Sequence, residues 1–221
     1  MANQIHLPTL KTGRVYTSGN SLNPSRVWLI LHGYGQLASF FIKKFTGLED
    51  GKNLLVFPEG LHRFYINGQS GKVGASWMTK EARETDIEDN LNWLNVVDEK
   101  ILSRFPAAEL VLFGFSQGAA TAFRWLNNRL QPVNYFVIYA SLIPPDIQPV
   151  KWISDKVSRA TFFVCGDSDQ FITKSEKDEQ NRLLSLNAEK FVGVDFTGGH
   201  LIDSSVLLDL NRRMDALTPF C

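Results

Sequence analysis

Leu110-Val111-Leu112-Phe113-Gly114-Phe115-Ser116-Gln117-Gly118-Ala119-Ala120 decides how this chain folds. The hydrophobic run ends in Gly-x-Ser-x-Gly and passes directly into small, helix-compatible residues. That order predicts a strand, a tight turn and a helix, with Ser116 at the apex. Such an elbow holds the serine in a strained backbone conformation, and glycines at 114 and 118 let neighbouring backbone pass where a Cβ would clash. Ser116 is therefore a candidate nucleophile. The plainer reading is a strand-to-helix turn whose serine only caps the helix, and the rest of the chain has to decide between the two.

Working outward, β-branched and aromatic runs recur at Arg26 to Leu31, Asn53 to Phe57, Glu109 to Phe113, Tyr135 to Tyr139, Thr161 to Cys165 and Lys190 to Phe196. Their near-continuous apolarity suits strands covered on both faces, so the expected fold is α/β: a mostly parallel central sheet with helices on both faces. Arg14 to Thr17 carries a weaker strand pattern. Between the second and third runs, Ile87, Leu91, Leu94, Val97, Ile101 and Phe105 mark the stripe of an amphipathic helix. Thr85 with Glu88, and Thr173 with Glu176, match capping boxes at helix starts. Val206, Leu207, Leu210 and Met214 mark a final helix. The stretch from Pro58 to Thr79 breaks the pattern with Gly60, Gly68, Gly71 and Gly74 among Phe64, Tyr65, Trp77 and Met78. It is too long for a plain connection, and we expect residues 58–79 to form a substrate-lining loop to which those four large side chains contribute.

The 221 residues, 44% hydrophobic and 21% charged, are enough for one α/β domain spanning residues 1–221. Twenty-three basic and 23 acidic residues cancel, so no global field recruits nucleic acid or an anionic membrane surface. The first residues lack the pattern of a secretory signal, and the longest apolar run is far too short to span a bilayer, which predicts a cytoplasmic protein without integral membrane association. Cys165 and Cys221 make no disulfide framework, and Cys165 reads as core packing. Nothing specifies an oligomeric state, although a homodimer is the commonest assembly where one forms.

A serine hydroxyl needs a base to take its proton and a third group to orient that base. Of His6, His32, His62 and His200, the last ends Phe196-Thr197-Gly198-Gly199-His200, a strand and glycine-rich loop that reach the same sheet rim as Ser116 if the strands are parallel. If the arrangement is that of the α/β-hydrolases, whose order is Ser, then Asp or Glu, then His, the acid should lie between them. Val164-Cys165-Gly166-Asp167-Ser168-Asp169 supplies it at a strand end; Asp169, a few residues into the loop, is preferred, with Asp167 the substitute and Asp203 a weaker choice that serves equally as a helix cap. The backbone N–H of Gln117, at a helix N-terminus, is one expected oxyanion donor. The N–H of Tyr34, in the loop Leu31-His32-Gly33-Tyr34-Gly35-Gln36, is the other. His32 is read as a buried side chain that fixes this loop.

With these residues in view the chain resembles the carboxylesterase/phospholipase family of α/β-hydrolases, which includes acyl-protein thioesterases and small bacterial carboxylesterases. The likeness runs from about Arg26 to Met214 and rests on His32-Gly33-Tyr34-Gly35, Ser76-Trp77, Gly114-Phe115-Ser116-Gln117-Gly118, Gly166-Asp167-Ser168-Asp169 and Gly199-His200. The resemblance implies hydrolysis of a carboxylic ester or thioester of a small molecule through an acyl-enzyme, without metal or organic cofactor. Departures are Gln170 where the family commonly has proline, Phe57-Pro58-Glu59-Gly60 in place of Pro-x-Ala-Pro, and Tyr34 where a smaller residue is usual. They bear on substrate preference more than on chemistry. The leading expectation is a serine hydrolase cleaving esters of small to medium acyl groups. An acyl-thioesterase or lysophospholipase is the first alternative, and a catalytically silent hydrolase-fold binding protein the second.

Overall fold

Strands with no polar face can only be buried between two layers, and that requirement organises this chain. A computed structural model describes residues 3–20, 22–147 and 152–217. In chain order the elements are β1 (Val15–Gly19), β2 (Arg26–Leu31), α1 (Ala38–Phe41), β3 (Asn53–Pro58), β4 (His62–Tyr65), β5 (Val73–Ser76), α2 (Arg83–Lys100), β6 (Glu109–Phe115) and α3 (Gln117–Asn128). There follow β7 (Val133–Tyr139), α4 (Trp152–Lys156), β8 (Val157–Gly166), α5 (Lys174–Asn187), β9 (Phe191–Phe196) and α6 (Ser204–Leu217).

Seven strands form one sheet in the order β1-β3-β2-β6-β7-β8-β9, and β4 pairs with β5 in a separate hairpin. All pairings from β3 through β9 are parallel; β1, the weak pattern at Arg14 to Thr17, joins the edge antiparallel to β3. Every residue of β2 and β3 is buried. Alternate side chains feed two cores. Leu29, Leu112 and Ile138 meet α2, α3 and α5 through Leu94, Phe123 and Leu184. Ile30, Phe113 and Val137 meet α1 and α6 through Phe41, Leu207 and Met214. The parallel arrangement sends the loops after β2, β6, β8 and β9 to one rim, the carboxyl end of the sheet, where α/β proteins place their chemistry.

Thr173 and Glu176 form the expected capping box, each accepting a backbone N–H from the other residue. The box expected at Thr85 is not there. α2 starts three residues earlier, with Ala82 as its N-cap, and Thr85 Oγ1 instead pairs with His6 Nδ1 at 3.1 Å. Asp86 explains the shift, because its carboxylate turns back to accept the N–H of Thr79 at 2.8 Å and ties the preceding loop to the helix's first turn. The stretch 58–79 carries the β4–β5 hairpin. Cys165 is buried, and burial pushes its thiol up to about 11; Cys221 lies outside the described residues. No helix of the described residues is long and apolar enough to cross a membrane.

Candidate active site

Ser116 joins β6 to α3 with φ 53° and ψ −122°, a strained conformation for a residue with a side chain. It is held there from both sides. Its N–H donates to Tyr139 O at 2.9 Å, and its carbonyl accepts the N–H of Ala119 at 2.9 Å to open the helix. A Cβ on Gly114 would meet Ala119 Cα at 2.3 Å, and one on Gly118 would meet the carbonyl oxygens of Leu31 and His32 at 2.3 and 2.5 Å. Both glycines are thus required by close backbone approach. The second approach also seats the N-terminus of α3 directly on the end of β2, where the Tyr34 loop begins.

His200 Nε2 lies 2.9 Å from Ser116 Oγ, and His200 Nδ1 lies 2.8 Å from Asp169 Oδ2. An ionised carboxylate only accepts, so Nδ1 carries the ring proton, and Nε2 is left as the acceptor for the serine hydroxyl. Asp169 has no exposed side-chain surface, and its second oxygen accepts the N–H of Phe171 at 2.8 Å. The imidazole packs against Phe115, tilted, and against Phe171, edge to face, with ring centroids 5.0 and 4.7 Å away. Asp167 does a different job: its Oδ1 accepts the N–H of Gly198 at 3.0 Å, closing the loop that carries His200. Asp203 accepts the N–H groups of Ser205 and Val206 at the start of α6; hydrogen bonding from Ser205 is the main cause holding its carboxyl below the usual range.

The N–H groups of Gln117 and Tyr34 find no hydrogen-bond partner among the described residues. Their surroundings are rigid. The Gln117 side chain accepts the N–H of Trp77 at 3.0 Å and donates to Met78 O at 2.9 Å, a stitch between α3 and the end of the hairpin that the sequence reading missed. In the Tyr34 loop, Gln36 Oε1 accepts the N–H of Gly33 at 2.8 Å, and the N–H of Gly35 donates to Ala75 O at 2.9 Å. His32 Nε2 accepts the N–H of Gly60 at 3.0 Å and its Nδ1 donates to Gly33 O at 2.8 Å, while burial holds its pKa down at about 4. Beside it Glu59, only 1% exposed, accepts the N–H of Ala38 at 3.3 Å, with Arg14 and Arg63 at 3.5 and 3.4 Å.

The four expected substrate-lining side chains separate. Trp77 is corrected to a core residue: it is 1% exposed, and its indole N–H donates to His32 O at 2.8 Å, which turns the ring beneath the loop. Phe64 is half-buried with its ring 5.2 Å from that of Tyr34; Tyr65 is 49% exposed on the hairpin; Met78 is half-buried, its sulfur 3.8 Å from Arg124 Nη1. None of the four lines the cavity of about 680 Å³ that opens between α1 and the hairpin tip, whose apolar wall is Leu37, Phe40, Phe41, Ile66 and Val73. Its lining begins at Gly35 and Gln36, the residues after Tyr34. Among the described residues, no three His, Cys, Asp or Glu side chains are grouped as a metal ion would need.

A strained serine on a strand-to-helix elbow, hydrogen-bonded to histidine and through it to a buried aspartate at the carboxyl rim of a mostly parallel sheet, defines an α/β-hydrolase. The chain belongs to the serine hydrolase (FSH1) family, whose profile matches residues 22–205. Comparison with proteins of curated function returns no match. Among solved structures the chain is similar to esterase PE8, with a TM-score of 0.69 at 20% identity over 94% of this chain and 99% of that one. It is also similar to the Bacillus cereus carboxylesterase, with 0.69 at 17% over 93% and 95%. Zea mays acyl-protein thioesterase 2 gives 0.68 at 15% over 93% and 99%. At these identities the likeness is one of fold.

Proposed function

We propose that this serine hydrolase cleaves carboxylic esters of small to medium acyl groups in the cytoplasm, with Ser116 as nucleophile, His200 as general base and acid, and Asp169 as the orienting carboxylate. The observation that carries the reading is the continuous hydrogen-bonded series from Ser116 Oγ through His200 to Asp169. In the first half-reaction Ser116 Oγ attacks the carbonyl carbon while its proton passes to His200 Nε2, and the oxyanion is received by the N–H groups of Tyr34 and Gln117. Collapse breaks the bond to the alcohol, which leaves with the proton from His200. Water then attacks the acyl-enzyme by the same route and releases the acid. Phe64, Tyr65 and Met78, on or just beyond the hairpin, border the entrance in this proposal, and the fold needs no cofactor for any step.

Thioester hydrolysis is the second reading, favoured by the apolar cavity beside the Tyr34 loop, which has room for a longer acyl chain. The test is fluorophosphonate labelling with peptide mapping, beside hydrolysis of 4-nitrophenyl acetate, butyrate and octanoate. Wild-type protein is expected to label at Ser116 and turn over ester. Ser116→Ala is expected to do neither, with a rate loss of at least about 10⁴-fold, and His200→Ala to lose labelling. Turnover by Ser116→Ala at the wild-type rate would refute the assignment. Folded wild type that neither labels nor turns over ester would make this a binding protein on a hydrolase fold.

A further inference from the structure

The cavity between α1 and the hairpin has a chemistry of its own. Its wall is aliphatic and aromatic, with Phe40 and Ile66 leaving 65% and 45% of their surface exposed. Among the described residues, the only charged side chains that line it are Lys44, from the turn after α1, and Lys72, from the hairpin tip. Both lysines are exposed and neither has an ion-pair partner among the described residues. No acidic residue among those described lines the cavity.

The side of Ser116 on which the cavity lies identifies what part of a substrate enters it. His200 follows β9 and must reach the leaving oxygen to protonate it, so the alcohol departs toward the β8 and β9 side of β6. The cavity lies on the other side, beyond the loop that follows β2, and starts at the residue after Tyr34. It is therefore on the acyl side of the bond being cut. A neutral chain long enough to reach Lys44 and Lys72 would bring an apolar end against two hydrated ammonium groups and desolvate them without compensation. A terminal carboxylate at the same place would pair with them, while the methylene groups behind it cover the apolar wall.

We infer that the cavity is the acyl subsite and that it selects acyl chains ending in a carboxylate, so that the preferred substrate class is the monoester of a dicarboxylic acid. The inference rests on the assignment of Ser116 and His200 above. Hydrolysis of such a monoester consumes one water and yields the free dicarboxylate, the alcohol and a proton.

The experiment compares 4-nitrophenyl hydrogen adipate with 4-nitrophenyl hexanoate, six-carbon acyl groups that differ only in the terminal group, after correction for their uncatalysed hydrolysis. Wild type is expected to favour the adipate ester in kcat/KM by about tenfold, from about threefold for each exposed lysine. The preference should shrink as salt rises. The ratio should fall to near unity in the double variant Lys44→Gln/Lys72→Gln and reverse in Lys44→Glu/Lys72→Glu. A ratio near unity or below in wild type, or one that the four substitutions leave unchanged, overturns the inference. If that happens while hexanoate is hydrolysed and Ser116 is labelled, the subsite assignment alone is wrong. If folded protein hydrolyses neither ester and does not label, the proposed mechanism is overturned with it.

Discussion

Two aspartates stand two residues apart on the loop after β8, and only one of them touches His200. Asp169 accepts from His200 Nδ1, whereas Asp167 accepts from the backbone of Gly198. Asp169→Asn puts an amide where the carboxylate fixed the imidazole tautomer, and kcat on 4-nitrophenyl butyrate should fall about 10³- to 10⁴-fold with KM little changed. Asp167→Asn should cost less than about tenfold; the opposite ranking would move the acid to Asp167. His32 makes a second prediction. Histidine ordinarily titrates near 6.5, but burial holds His32 at about 4 when folded. Between those values the unfolded chain binds a proton that the folded chain refuses, so stability is full above about pH 6.5 and declines as the pH falls toward 4, by roughly 1.4 kcal/mol per pH unit. Urea unfolding at pH 7.5 and 4.5 should show a difference about 2 to 3 kcal/mol larger in wild type than in His32→Asn; equal differences would refute it. The Ser116, Asp169 and His200 contacts were legible in sequence because each residue sits in a short motif at a strand end. Trp77 was not. An aromatic in a glycine-rich stretch reads the same whether it faces substrate or core, and the bond to His32 O that settles its position joins residues 45 apart.

At the scale of elements, apolar runs revealed every strand that is covered on both faces, because such strands have no polar period to confuse the reading. The β4–β5 hairpin escaped it. Its strands are four residues each, and β4 alternates between half-buried and exposed positions, so composition suggested only a long loop. Helix starts were legible where local chemistry governs and misread where a tertiary contact does. Thr173 and Glu176 satisfy each other within one turn, but α2 is started by Asp86 reaching back to Thr79. That distinction is measurable. Thr173→Ala should lower Tm by about 2–4 °C, whereas Thr85→Ala should move it by less than about 1 °C, with kcat unaltered in both. A larger loss from Thr85→Ala would mean that its exposed bond to His6 matters more than the geometry implies.

The whole molecule divides its labour between the two ends of the sheet. At the carboxyl rim, strain at Ser116, the buried carboxylates of Glu59 and Asp169, and the N–H groups of Tyr34 and Gln117 that are unpartnered among the described residues are features that cost stability, and all but Glu59 have a role in the proposed mechanism. At the opposite rim Arg26, 5% exposed, donates to Glu109, Asn211 and Asp215 and lies over the ring of Tyr135, tying β2 to β6, β7 and α6. β2 belongs to both ends: Arg26 opens it, and the Tyr34 loop leaves it about 20 Å further on. If the ends are independent, damage at the Arg26 end should cost folding and spare catalysis. Arg26→Met keeps most of the side-chain volume but leaves the partly buried Glu109 with one arginine, Arg159, at 3.0 Å. We expect a loss of about 3 kcal/mol in urea unfolding, with kcat/KM for 4-nitrophenyl butyrate unchanged within about twofold at 20 °C, where the variant stays folded. A fall in kcat that tracks the loss of stability would show instead that β2 transmits strain along its length, and that the Tyr34 loop is positioned from the far end of the sheet as well as by His32, Glu59 and the hairpin beside it.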